Sequence, residues 1–417
     1  MNSSGHYALY AELLANIRQI SLAASLPSAS DASTQVALSA DGRTVELRHG
    51  GRDHHLTLPA KAGLGGTLLP IQDKQKGTRA LSWRLPLDAA SLSPSHQADH
   101  TPWSATDLGP DSGVACRQCS TNVVPAGSVK AWKDLPSENW AEMMEFWHCH
   151  KPDHHHSHEE ETGKADEQTL AARGYGASSV ISAQEGVGFV DLTTLLFAES
   201  DCRSVTFSLS TFEQGSTDRQ RLPSTDATPQ PRSLNVFCSS CQTQLGFFNL
   251  RTSAVTLLKW QISSQSTSGA VPGIPECLAA TLISTISRSG SSKSLITPIL
   301  IPVQDDAIHI WVLNSSIVYS SSSSSNSSNS SNSSSSNAAP QQRTPAIKLL
   351  YRAIPCAEAD KLLEAVTCDA QEINLPAQAL REVLRHLGES NARLPPTERV
   401  FKEWKVGLLT RWESKVV

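Results

Sequence analysis

Cysteine and histidine carry the first chemical question in this chain. Two Cys-x-x-Cys pairs, Cys116 with Cys119 and Cys238 with Cys241, have the spacing of metal knuckles. A two-residue spacer lets a tight turn aim both sulfurs at one ion. Two such turns complete the tetrahedral shell that zinc prefers. The segment between the pairs is longer than in common zinc ribbons, so the pairs must meet through tertiary folding. A closed four-thiolate shell leaves no open position, so the expected Zn2+ is structural and holds the fold. The competing reading is two unrelated pairs of reduced thiols. A redox pair fits less well, because neither pair sits in a thioredoxin-like βα turn.

A second cluster lies in "EFWHCHKPDHHHSHEEE", residues 145–161, which holds six of the fourteen histidines. Cys149 stands between His148 and His150 at the end of an expected helix. Neighbours in a helix point in different directions, so the three cannot readily chelate one ion. Spacing alone favours an inert packing cysteine; a thiolate offered to another protein's metal is the alternative. His154, His155, His156 and His158 read as a solvated loop. The third candidate is Cys368 in "LLEAVTCDAQEINLP". A thioester nucleophile needs exposure and a lowered pKa, which sequence does not reveal, and a neighbouring Asp369 acts in the opposite direction.

The elements that must position these residues read mostly as strands. "TQVALSADGRTVELRH" places Asp41-Gly42 between two alternating runs, a hairpin signal. "ALSWRLPL", "VGFVDL", "SVTFSLSTF", "LNVFCSSCQTQLGFFNL", "AVTLLKWQI", "LITPILIPV" and "AIHIWVL" add further strands. Leu9, Leu13, Ile17 and Ile20 fall close to one helical face, predicting an N-terminal helix. In "LPSENWAEMMEFWHCH", Ser137 can cap a helix along which Trp140, Met143, Met144 and Trp147 recur, ending at Lys151-Pro152. Three more helices are expected near the C-terminus. They are "CAEADKLLEAV", then "LPAQALREVLRHLG" with Leu380, Val383, Leu384 and Leu387 inward and Gly388 as its stop, and "TERVFKEWKVGLL" with Val400, Trp404 and Leu408 on one face. Residues 320–337 are almost pure Ser and Asn. They cannot bury enough apolar area to offset their ordering entropy, so they read as an expanded hairpin loop between strands.

Composition narrows the function classes. A net charge of −5 leaves no basic footprint for direct nucleic-acid binding. No window approaches the roughly 20 apolar residues of a membrane span. The first residues lack a basic n-region and a long apolar run, so no signal peptide is expected and the thiols are expected in a reducing compartment.

Several segments together resemble one family. "YAELLANIRQISL", "CRQC", "WKDLPSENWAEMMEFWHCHKP", "FCSSCQTQLG" and "LPPTERVFKEWKVGLLTRW" are similar to the HECT-like ubiquitin-conjugating-enzyme-binding family, the ubiquitin-protein ligase D type. The resemblance runs from the first of these segments to the last, interrupted by the Ser/Asn insert and polar loops. It implies a ligase that takes ubiquitin from a ubiquitin-conjugating enzyme as a thioester and passes it to a substrate lysine, with "VTC" at Cys368 similar to the HECT nucleophile. The surrounding HECT lobe motif is not recognisable. The family also implies a link to the metallo-β-lactamase-type endonuclease of mRNA 3′-end processing. In that setting Phe146 and Trp147 would anchor the contact while His148, Cys149 and His150 meet the partner's metal site, which makes a non-catalytic zinc scaffold the alternative function. "CxxC…CxxCxxxLG" is also similar to small zinc β-folds of the Yippee and cereblon kind, although Gly246 can equally be a strand bend.

The expected architecture is mainly β with a zinc-stapled core, plus a C-terminal α+β part. The expected division is 1–313, mainly β and zinc-binding; 314–345, the Ser/Asn-rich insert; and 346–417, a HECT-like α-rich part packed on the last strands. The expected location is cytoplasmic, with a nuclear one left open, since "KEWK" is too sparse in charge for an import signal.

Overall fold

In the computed structural model, residues 7–88, 101–135, 182–208, 233–264, 270–299, 306–322, 343–365 and 367–413 are described. The chain forms two compact units, Met1–His100 with Ile274–Ser414, and Thr101–Gly273. The second unit is therefore inserted in the sequence of the first. Both are dominated by strands.

The first segment of unit 1 supplies β1 (Ala8–Leu14), β2 (Gln19–Ser25), β3 (Gln35–Leu38), β4 (Thr44–His49), β5 (Arg52–Thr57) and β6 (Ala80–Pro86). Unit 2 supplies β7 (Val114–Cys116), β8 (Asn122–Val124), β9 (Ala131–Asp134), β10 (Val187–Val190), β11 (Thr194–Ala198), β12 (Val205–Ser208), β13 (Ser233–Cys238), β14 (Gln244–Asn249), β15 (Ala254–Leu258) and β16 (Ile262–Ser264). Unit 1 resumes with helix α1 (Ile274–Ser289), β17 (Lys293–Pro298), β18 (Asp306–Ser321), β19 (Thr344–Pro355), α2 (Cys356–Glu364), β20 (Gln371–Leu375), α3 (Ala377–Arg393), β21 (Val400–Phe401) and β22 (Trp404–Thr410).

Unit 1 is built on a nine-stranded sheet in the order β21-β22-β19-β18-β1-β2-β6, with β17 on β18 and β20 on β17. Leu9 and Ala11 of β1 enter the core beneath the small β3-β4-β5 sheet, with Ile20, Leu22, Val45, Leu47 and Trp83. Tyr10 points to the other face and packs with Tyr319, Leu350, Leu394 and Val406. Burial of alternate residues into two cores follows from the strand period of two. The strands flanking the Ser/Asn insert pair antiparallel, with Tyr319 opposite Thr344, as an expanded hairpin requires. Positions 313 and 346 fall inside β18 and β19.

Three expectations change. The N-terminal helix is instead the hairpin β1–β2, turned by a short 3-10 segment at Ala15–Ile17 and by Arg18 at φ +53°. The helix through 397–409 is instead β21 and β22, with Trp404, Val406 and Leu408 on one face. Gly388 does not stop α3, which runs on to Arg393. Past the glycine, Ser390 Oγ accepts from Leu408 N–H at 2.9 Å, and Asn391 Nδ2 donates to the carbonyls of Arg399 and Val406. Those contacts carry the helix beyond its local stop signal. Helix α1, at 274–289, had no counterpart in the sequence reading, although Ile274, Cys277, Leu278 and Thr285 are buried at helical spacing. Among the described residues no helix is long and apolar enough to cross a membrane.

Unit 2 contains a seven-stranded sheet, β12-β13-β14-β15-β11-β10-β9, and a three-stranded sheet, β16-β7-β8. Cys116 lies in the small sheet and Cys238 in the large one. The knuckles thus belong to different sheets of one unit.

Candidate metal centre

Each Cys-x-x-Cys pair sits where one strand reverses into the next, and the two turns have the same backbone. In the first, Cys116 N–H donates to Thr121 O (2.8 Å) and Ser120 N–H to Cys116 O (2.8 Å). In the second, Cys238 N–H donates to Thr243 O (2.9 Å) and Gln242 N–H to Cys238 O (2.9 Å). The residue after the second cysteine is left-handed in both, Ser120 at φ +60° and Gln242 at φ +58°. That conformation is uncommon for residues other than glycine. Its repetition means that both turns are wound to present two sulfurs on one side.

The four sulfurs, from Cys116, Cys119, Cys238 and Cys241, all lie within 4.8 Å of one another. Cys116 Sγ is 3.6 Å from Cys241 Sγ, and Cys119 Sγ is 3.6 Å from Cys238 Sγ. The first cysteine of each knuckle therefore faces the second cysteine of the other. Disulfide sulfurs sit at about 2.0 Å, so these are free thiols held apart. An ion with metal–sulfur bonds of about 2.3 Å sets tetrahedral sulfur edges of about 3.8 Å, and the observed separations fit such a site.

Burial divides the set. Cys116 and Cys238 are fully buried, Cys119 is exposed and Cys241 lies between. Burial pushes the Cys116 thiol up to about 12, whereas the Thr121 hydroxyl beside Cys119 brings that thiol down to about 6. A bound cation would offset the charge that makes a buried thiolate costly, so metal binding here would be coupled to proton release. Thr121 Oγ1 is 3.2 Å from Cys119 Sγ, and Thr243 Oγ1 is 3.2 Å from Cys241 Sγ. The sequence reading missed these two hydroxyls. Their signal was present: Cys-x-x-Cys-x-Thr occurs at both knuckles.

Cys368 belongs to unit 1, in the turn between α2 and β20. It is partly exposed, and its N–H donates to Ala365 O at 2.9 Å. The neighbouring Asp369 carboxylate turns to Lys293 Nζ at 2.9 Å, and that hydrogen bond holds its carboxyl below the ordinary range. Outside the metal cluster, Cys202 and Cys277 are buried, while Cys356 and Cys368 have partial access to solvent. Phe146, Trp147, His148, Cys149 and His150, with the helix expected around them, lie outside the described residues.

Comparison with known proteins adds a whole-chain relationship. A family model described as "HECT-like Ubiquitin-conjugating enzyme (E2)-binding" matches residues 12–406. An uncharacterized protein of Schizosaccharomyces pombe is 45% identical over 53 residues, and an uncharacterized protein of Saccharomyces cerevisiae is 38% identical over 53 residues. Each match covers 12% of this chain and only 15% of the relative's own length. No solved structure matches the chain. The family match spans nearly the whole sequence, including the four clustered cysteines and both units: the chain belongs to the HECT-like ubiquitin-conjugating enzyme (E2)-binding family.

Proposed function

We propose that this protein is a ubiquitin ligase that binds a ubiquitin-conjugating enzyme and takes ubiquitin from it. The observation that carries this reading is family membership across residues 12–406. In the proposed reaction the Cys368 thiolate attacks the thioester carbonyl that joins ubiquitin to the conjugating enzyme. The enzyme's own thiolate leaves, and ubiquitin is then held on Cys368. A substrate lysine amine attacks that second thioester and releases Cys368 as the thiol. Partial exposure and a place in a turn, rather than in a strand or helix, support Cys368 as the acceptor.

The metal in this reading is zinc. Support comes from the all-sulfur donor set and the 3.6 Å cross-knuckle spacing, which suit a closed structural site. Such a site organises unit 2 and takes no part in transfer.

Incubation with ubiquitin-charged conjugating enzyme, followed by a non-reducing gel, tests the transfer step. A thiol-sensitive ubiquitin adduct that disappears in Cys368→Ala and persists in Cys356→Ala is the expected result. An adduct that survives Cys368→Ala moves the acceptor to another cysteine. Stable binding of the conjugating enzyme with no adduct at all leaves a binding protein and removes the thioester mechanism.

A further inference from the structure

The segment between β2 and β3 is tied to one histidine in a way that neither the family nor the metal site explains. His49 ends β4 and is 1% exposed. Its position is fixed from several sides. The β4–β5 hairpin closes immediately after it through Gly50 and Gly51, both with positive φ. The Tyr7 hydroxyl donates to His49 O at 3.0 Å, and the Tyr7 ring stacks on His54 at 3.9 Å. On one side of the imidazole, Nε2 lies 2.8 Å from Ser28 Oγ; on the other, Nδ1 lies 2.7 Å from Thr34 Oγ1. Ser28 is exposed, and Thr34 is buried.

Counting hydrogens assigns the tautomer. Thr34 Oγ1 meets three partners. Asp31 N–H can only donate to it, at 3.0 Å, and the Asp31 carboxylate can only accept from it, at 3.2 Å. The single hydroxyl proton goes to the carboxylate, so the threonine oxygen accepts from Nδ1–H. The opposite choice would set two acceptors against each other at 3.2 Å. With Nδ1 protonated, Nε2 carries the lone pair and accepts from the Ser28 hydroxyl. Asp31 is itself held as a carboxylate by the hydroxyl and amide of Ser33, which lower its pKa. The order is Ser28, His49, Thr34, Asp31: nucleophile, base, orienting hydroxyl, carboxylate. It has the logic of a serine triad with one hydroxyl inserted.

We propose that Ser28 is an activated nucleophile and His49 its general base, forming an acyl-transfer site for carboxylic esters or thioesters. Ser28 Oγ attacks the carbonyl carbon, and its proton passes to His49 Nε2. The bond to the alcohol or thiol breaks, and the leaving group takes that proton. Water, deprotonated by the same nitrogen, then hydrolyses the acyl-serine and regenerates the hydroxyl. Thr34 and Asp31 are positioning residues, acting through the imidazole.

A fluorophosphonate probe tests this on the full chain, because it loses fluoride as it phosphonylates an activated serine. Mass spectrometry should find one adduct, on Ser28. Ser33 is the internal control, since it is also exposed but donates to Asp31. A histidine that only pins the segment would leave Ser28 no more reactive than Ser33. Ser28→Ala should remove the adduct. His49→Gln should slow labelling at least about 100-fold, the lower end of general-base catalysis. Thr34→Val should slow it roughly 10-fold while Thr34→Ser restores it, a separation that holds the test even if His49→Gln does not fold. An unlabelled wild-type protein, an adduct undiminished in Ser28→Ala, or equal labelling of Ser28 and Ser33 would overturn the proposal.

Discussion

Thr121 and Thr243 show how much of a candidate metal centre lies in residues that would never touch the ion. Each hydroxyl sits 3.2 Å from the second sulfur of its knuckle, which belongs to the less buried cysteine of the pair. A hydroxyl that donates to a metal-bound thiolate fixes its orientation and disperses its charge. Valine has the same shape and leaves the backbone bonds of Thr121 and Thr243 untouched. We therefore expect Thr121→Val to lower metal affinity about 10- to 100-fold, the usual effect of losing an outer-shell partner. Thr243→Val should do the same, with little change in the folded structure of the loaded protein. Competition against a chromogenic chelator measures it; unchanged affinity in both variants would mean the hydroxyls merely fill space. At this scale the four cysteines were legible because a two-residue spacer is a local signal. The pairing of Cys116 with Cys241 was not, since only the meeting of two sheets decides it. The Ser28–His49 contact was hidden for the same reason, because no pattern links residues 21 apart.

Among the elements, legibility followed arithmetic. Leu9 and Leu13, like Val400, Trp404 and Leu408, are spaced by four. Four is close to one helical turn, but it is also twice the strand period, so the spacing fits either state. The partner decides: β1 pairs with β18, and β22 with β19, far away in sequence. In α3, Leu380, Val383 and Leu387 include a spacing of three, which a strand would split between opposite faces. That spacing favours a helix, although the N-terminal series holds one too, from Ile17 to Ile20, where it falls across the β1–β2 turn and not along one element. Two glycines give opposite tests of the outcome. Gly388 lies on the exposed side of α3, and a Cβ added there would meet nothing within 4 Å, so its backbone freedom is only a cost. Gly388→Ala should stabilise unit 1 by about 0.5–1 kcal/mol. Gly246 on β14 is the reverse: a Cβ there would meet Thr256 O at 1.9 Å, a clash with backbone that no rotamer relieves. Its place after the second knuckle is thus a close strand approach, next to the register shift between β13 and β14 at Val236 and Phe237. Gly246→Ala should destabilise unit 2 by about 3 kcal/mol or more, at the top of the overpacking range. Chemical denaturation followed separately in each unit reads both changes, and a Gly246→Ala protein as stable as wild type would contradict the close approach.

The whole molecule divides its stability between two different sources. Unit 1 buries a long apolar series on its main sheet and on α3, including Leu9, Leu22, Leu350 and Val383, and among its described residues there is no cluster of thiols. Unit 2 joins its small sheet to its large one through sulfurs, two of them fully buried. Without a cation those buried thiols lose their partner charge, and the sheets lose their shared ligand. A structural zinc contributes on the order of 10 kcal/mol or more to such a fold. A whole domain is stable by only about 5–15 kcal/mol. On the zinc reading proposed above, the metal contribution would be as large as the stability of the unit that holds it, and chelation should unfold unit 2 rather than loosen it. Amide hydrogen exchange on the full chain, with and without a chelator, separates the two cases. We expect β7, β8, β13 and β14 to lose protection while β18, β19 and β22 keep theirs, and added zinc to restore the first group. Equal loss across both groups would make the cation a keystone of the entire protein. No loss in either would mean that the apolar cores alone hold unit 2, and that the repeated left-handed turns at Ser120 and Gln242 serve something other than a metal.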